Sequence, residues 1–213
     1  MKQDLSRRQL LAGGATALAA GLFGAGQPAA CAADEPAAKA KPFRFCLNTS
    51  TIRGQKLGLE AEIDLTAASG YDAIEPWIGE LDKYVKDGGS LKDLDKRIKD
   101  KGLFAADVIG FPEWIVDDDA RRAKGVEDAK RCMDLCHQIS CKHLAAPPVG
   151  ATKATGMSLM AIADRYRALL ELGEKMDVTP QVELWGFSTT LCRLGETAMV
   201  AIESGHPKAC VLA

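Results

Sequence analysis

The sequence predicts an α/β fold of parallel strands joined by helices, closed as a (β/α)8 barrel of which these residues supply about six strands. Three observations carry the prediction. From Phe43 onward, short β-like runs alternate with longer helical ones. Polar residues fall at the carboxyl ends of several of those runs, at Asn48, Glu75, Asp107 and Glu183, the end at which a barrel builds its site. No glycine-rich nucleotide loop follows the first strand, which counts against an open doubly wound sheet.

Each element has its own local signal. Phe43 to Asn48 reads as the first strand and Leu59 to Ser69 as a helix closed by Gly70. Asp72 to Trp77 is the second strand, and Ser90 to Lys101 is a helix with Gly102 where a C-terminal cap belongs. Leu103 to Ile109 follows as a third strand, then a long helix from Asp119 to Ile139. Its start carries Asp117, Asp118 and Asp119, carboxylates that favour the positive end of a helix dipole. Lys142 to Ala146 is the fourth strand, ended by Pro147 and Pro148. Ser158 to Met176 is a helix, with Leu159, Ile162, Tyr166, Leu169 and Leu170 at helical spacing. Val178 to Leu184 is the fifth strand, Thr189 to Ser204 a helix, and Ala209 to Leu212 the sixth strand. A complete barrel takes about 250 residues, so six strands in about 170 residues read as a barrel without its last quarter.

The first 32 residues read as an export signal and not as part of the fold. Arg7 and Arg8 are paired in a polar start, an apolar run extends from Leu10 to Phe23, and Ala30-Cys31-Ala32 resembles a signal-peptidase site. The run Ser6-Arg7-Arg8-Gln9-Leu10-Leu11 resembles the twin-arginine motif. About 14 apolar residues diluted by glycine fall short of the roughly 20 that span a bilayer, so no stable membrane anchor is expected. Residues 33–41, rich in Ala, Lys and Pro, read as a linker, and 42–213 as the folded domain. The expected location is the periplasm, with the twin-arginine export machinery as partner.

Charge narrows the function classes. The chain carries a net charge of −2, and cleavage after Ala32 removes Lys2, Arg7 and Arg8 against Asp4, which takes it to −4. A mildly acidic protein is a poor ligand for nucleic acid. Cys46, Cys132, Cys136, Cys141, Cys192 and Cys210 remain after cleavage. Their spacing is not that of a small disulfide scaffold, so buried free thiols are expected.

Three stretches resemble the xylose-isomerase-like TIM barrel family of sugar phosphate isomerases and epimerases. They are Asn48-Thr49-Ser50-Thr51-Ile52, the run from Gly70 through Glu75 to Trp77, and Val182-Glu183-Leu184-Trp185-Gly186. The resemblance implies a divalent metal (Mn, Mg, Co or Zn) at the carboxyl end of the barrel, held by residues on strands five to eight. Of these only the strand-five glutamate, Glu183, can be placed, so the metal depends on ligands further along the barrel. It also implies proton transfer between adjacent carbons of a sugar or polyol, with Glu183 as both base and ligand. Asn48, Glu75, Trp77 and Trp185 are the expected substrate contacts, an aromatic beside a carboxylate being a way to hold a sugar's apolar face and its hydroxyls together.

Other readings stand beside this one. A nuclease of the same barrel family would need a basic groove and more histidines than the three present. An exported barrel that binds sugar without turning it over, or an inactive fragment, is the alternative. Assembly into an oligomer is compatible with either. Cys132, Cys136, His137, Cys141 and His143 have residue types that bind zinc, but only Cys132 and Cys136 share a helix face, which favours buried thiols. Arg121 and Arg122 read as solvated charges with phosphate binding as the lesser reading.

Overall fold

The computed structural model describes residues 43–213; the signal and linker assigned above lie outside the described residues. Six strands alternate with six α-helices: β1 (Cys46–Asn48), α1 (Leu59–Ala68), β2 (Ala73–Glu75), α2 (Ile78–Lys86), α3 (Leu91–Asp100), β3 (Phe104–Ala105), α4 (Asp119–Gln138), β4 (His143–Ala146), α5 (Leu159–Met176), β5 (Thr179–Glu183), α6 (Leu194–Glu203) and β6 (Val211–Leu212). Every pairing is parallel, in two ladders of order β1-β2-β3 and β4-β5-β6. The six-stranded partial barrel predicted from the alternation is what forms.

The two ladders meet at a narrow seam. Ala145 N donates to Val108 O at 3.0 Å, and His143 Nδ1 lies 3.0 Å from Ala106 O, which can only accept. Strand β3 covers only part of its apolar run, the ladder pairing being interrupted over residues 106–108. Ala106 N still donates to Ile74 O, and pairing resumes where Trp77 bridges Ile109.

The helix starts follow their capping chemistry. Ser90 Oγ accepts from Asp93 N, Asp118 Oδ1 from Arg121 N at 2.8 Å, and Ser158 Oγ from Ala161 N, each satisfying a backbone donor that has no partner within the helix. Helix α6 begins at Leu194 and not at Thr189, because Thr189 serves a different contact. Its N–H donates to Thr152 O, and its hydroxyl lies 2.6 Å from Ala154 O, tying the β5 loop to the β4 loop. Helix α2 and a 3-10 turn over Thr49–Gln55 were not predicted.

The core lies between the outer face of the strands and the helices, with Ile63, Ile74, Leu81, Leu94, Trp114, Met133, Leu144, Ile162 and Val182 buried. Tyr166, fully buried, places its hydroxyl 2.9 Å from both Pro180 O and Cys210 O and accepts from Cys210 N, which pins the start of β6 to β5. Gly173 lets α5 seat on β5: a Cβ there would stand 2.3 Å from Val178 O and 2.6 Å from Pro180 Cδ. Exposed apolar side chains gather beside the outer strands, Phe43 and Phe45 at β1 and Met199 and Ile202 on α6. Among the described residues no helix is long and apolar enough to cross a membrane.

Candidate active site

Parallel strands put all their carboxyl ends on one rim, so the strand-end residues Asn48, Glu75, Asp107 and Glu183 share it. Asn48 and Glu75 are register partners on β1 and β2. Asn48 Nδ2 donates to Glu75 Oε2. Its Oδ1 accepts from Trp77 Nε1 and from Ser50 N, both at 3.0 Å. Since an indole and a backbone N–H can only donate, the amide has one orientation, with its NH2 aimed at the carboxylate. Three of the expected substrate contacts, Asn48, Glu75 and Trp77, are thus joined in one hydrogen-bonded unit.

Behind that unit, Glu80 Oε2 accepts from Thr49 Oγ1 at 2.6 Å and from Trp77 N at 2.9 Å. The second bond caps α2, whose N-cap, Trp77, offers no side-chain acceptor of its own. Glu80 thus makes the back-reaching half of a capping box, from the third helical position to the N-cap N–H.

Glu183 ends β5, on the other ladder. Burial pushes its carboxyl up, the hydrogen bond from Trp185 opposes this, and the charge of Glu75 adds to it. Glu75 is likewise pushed up by burial, with the Asn48 bond opposing. Asp107 is only 4% exposed and is raised to about 8, first by burial, with its bond from Val108 N opposing and the charges of Glu75 and Glu183 adding. Asp107 Oδ2 and Glu183 Oε2 are both buried without a hydrogen-bond partner. The charges of Glu75 and Glu183 act on Asp107, and that of Glu75 on Glu183. The three carboxyls thus form one electrostatically coupled group whose members all hold protons to higher pH than free carboxylates, as a carboxyl that acts as both acid and base must.

An aromatic row flanks them. Ring centroids are 5.1 Å apart for Trp77 and Phe111, 6.3 Å for Phe111 and Trp185, and 4.9 Å for Trp185 and Phe187. Trp77 and Trp185, expected separately as substrate contacts, are linked through Phe111, which the sequence did not single out because it lies in a loop without periodicity. Phe187 is 76% exposed and was missed for the same reason. Asp107 stood out only as a strand end; what marks it is its burial with an unpartnered oxygen, invisible in the sequence.

Two orphaned carboxylate oxygens in a hard-oxygen environment are the donors a divalent cation takes. Among the described residues, however, no group of three His, Cys, Asp or Glu side chains is placed to hold a metal ion. The described residues do not by themselves make a metal centre.

The remaining candidates have structural partners. Cys132, Cys136 and Cys141 are buried free thiols, with burial pushing Cys132 up to about 12; His137 is exposed and His143 is engaged at the seam. Arg121 contacts Glu113 at 2.7 Å, and Arg122 contacts Asp119 and donates to Val116 O, so both guanidinium groups already have acidic or carbonyl partners.

A parallel wall of βα units with carboxylates and aromatics on its carboxyl rim defines an α/β barrel protein, and comparison with known families is specific. Residues 63–211 match the Xylose isomerase-like TIM barrel family, and the chain belongs to it. The IOLI protein, solved with a bound zinc atom, is 18% identical with a TM-score of 0.69 over 79% of this chain and 62% of its own. An L-ribulose 3-epimerase is 18% identical with a TM-score of 0.61 over 78% and 58% of the two chains. A D-psicose 3-epimerase solved in the presence of D-fructose is 14% identical with a TM-score of 0.65 over 79% and 62%. This chain spans about six-tenths of the length of these structures. No curated protein matches it.

Proposed function

We propose that the chain belongs to an exported sugar or polyol isomerase or epimerase that moves a proton between adjacent carbons. The observation that carries the proposal is the coupled group Glu75, Asp107 and Glu183, raised in pKa and set beside an aromatic row. In this reading the Trp77–Phe111–Trp185 row takes the apolar face of the substrate, and Asn48 and Glu75 take its hydroxyls. Glu183, with an unpartnered oxygen, removes the proton next to the substrate carbonyl while the C–H electron pair passes toward the carbonyl oxygen. A protonated carboxyl of the same group returns a proton to carbon. Relatives that are epimerases, and one that binds zinc, support the class of chemistry. A role for Glu183 as a metal ligand calls for further ligands beyond the described set.

The test is incubation with pentoses, ketohexoses and polyols in D2O, followed by NMR. Deuterium should enter at a single carbon, and Glu183→Gln should lower the exchange rate at least about 100-fold, the size of a general base's contribution. Unchanged exchange in that variant removes Glu183 from the chemistry. Binding without any exchange would select a sugar-binding barrel without turnover instead.

Residues 1–32 are proposed as the twin-arginine signal and 33–41 as the linker to a periplasmic domain spanning 42–213. Replacing Arg7 and Arg8 by Lys should leave the full-length precursor in the cytoplasm. Periplasmic delivery of that variant at the wild-type level would rule the pathway out.

A further inference from the structure

A second acidic residue lies behind Glu80, where the site itself does not reach. Glu62, on α1, is 3% exposed. It faces Glu80 across a cleft of about 130 Å³ between α1 and α2, whose other charged or titratable walls are Lys83, Tyr84 and Asp87. None of these neutralises it. Lys83 is paired with Asp87 at the solvent edge, and the Tyr84 hydroxyl is 3.3 Å from Glu60. Arg97 on α3 and Lys101 just beyond its end are both bound to Asp64, two residues along α1.

We propose that Glu80 is the positioning residue of the β1–β2 side of the mouth, and that Glu62 is the proton-binding group that governs its hold. The geometry runs in one unbroken chain. Glu62 faces Glu80; Glu80 holds the buried Thr49 hydroxyl and the Trp77 amide; Trp77 and the residue before Thr49, Asn48, are bonded to each other; and Asn48 holds Glu75. With Glu62 protonated, the cleft holds one negative charge, and that charge is spent on Thr49 and Trp77. With Glu62 ionised, two carboxylates share the cleft, their repulsion is relieved by separating α1 from α2, and the grip on Trp77 loosens. Burial and the charge of Glu80 raise Glu62 to about 7, so the change falls in the neutral range. An acid raised in the folded state makes the fold lose stability as pH climbs, so the mouth is firmest below neutrality.

The experiment is a pH titration of tryptophan emission from pH 5 to 9 on the full chain, with Trp77→Phe identifying Trp77's share among the three tryptophans. The wild type should show a transition near pH 7 that Trp77→Phe removes. Glu62→Gln should abolish that transition and keep the low-pH emission throughout. Glu80→Gln, whose side-chain oxygen can still accept from Thr49 and Trp77, should keep the low-pH emission at every pH, because ionised Glu62 then meets no second charge. Asp107→Asn should leave the transition in place, which separates it from titration in the mouth. A transition unaltered by Glu62→Gln, or one removed by Asp107→Asn, overturns the proposal. If Glu62→Gln does not fold, a transition that survives in Glu80→Gln overturns it instead.

Discussion

The β1–β3 and β4–β6 ladders are built from the same βα units, yet they treat their rim carboxylates differently. On the first, Glu75 is held by Asn48, Asn48 by Trp77, and Trp77 by Glu80, so nearly every polar atom is committed. On the second, Glu183 and, at the seam, Asp107 each keep a buried oxygen with no partner. The second ladder is nonetheless the more tightly fixed as a scaffold: β4 and β5 are longer, Tyr166 ties β6 to β5, and Thr189 anchors the β5 loop. Leaving a buried polar atom unsatisfied costs about 1–3 kcal/mol, and such a cost is borne where the surrounding structure is rigid and the group is needed for something other than folding. One ladder therefore presents a rim whose polar atoms are bonded to one another, and the other a rim with carboxylate oxygens left open.

The largest expected effect breaks the rigid side. Gly173→Ala pushes a methyl into Val178 O and Pro180 Cδ. Overpacking of this kind costs about 2–3 kcal/mol after the gain in helix propensity, so a circular-dichroism melt should show Tm lowered by roughly 5–10 °C. An unchanged Tm would mean that α5 is not seated on β5 as tightly as described.

A smaller effect sharpens the comparison at the seam. Asp107 is raised to about 8, well above the value of an unfolded aspartate near 3.9. Between those two values the folded chain binds more protons than the unfolded one, so the unfolding free energy falls as pH rises through that window. Asp107→Asn keeps an oxygen for Val108 N and removes the ionisation. Urea unfolding should find the variant more stable than wild type at pH 9, by on the order of 1–3 kcal/mol, with the gap closing toward pH 4. Equal stability at both ends would show that Asp107 is charged and solvated in the fold.

Much of the architecture could be read from the chain because periodicity and capping are local properties. Ser90, Asp118 and Ser158 cap the helices they were expected to open. Helix α2 escaped because it follows its strand directly, buries only Ile78 and Leu81, includes Gly79, and is capped from within by Glu80. At the site, Asn48, Glu75 and Trp77 could be named because they end strand runs in stretches that resemble the family. Their joining into one network depends on register, which no single run of sequence encodes. Asp107 and Phe111 lie in the unpaired stretch around the Ile109 bridge, and Glu62 lines a cleft between two helices.

The seam itself has an electrostatic consequence. Glu75 belongs to one leaf of the wall and Glu183 to the other, with Asp107 at the spine, where few bonds join the leaves. Each carboxyl that ionises sets its charge against the others across that spine, so the seam is where the protonation of one leaf is felt by the other.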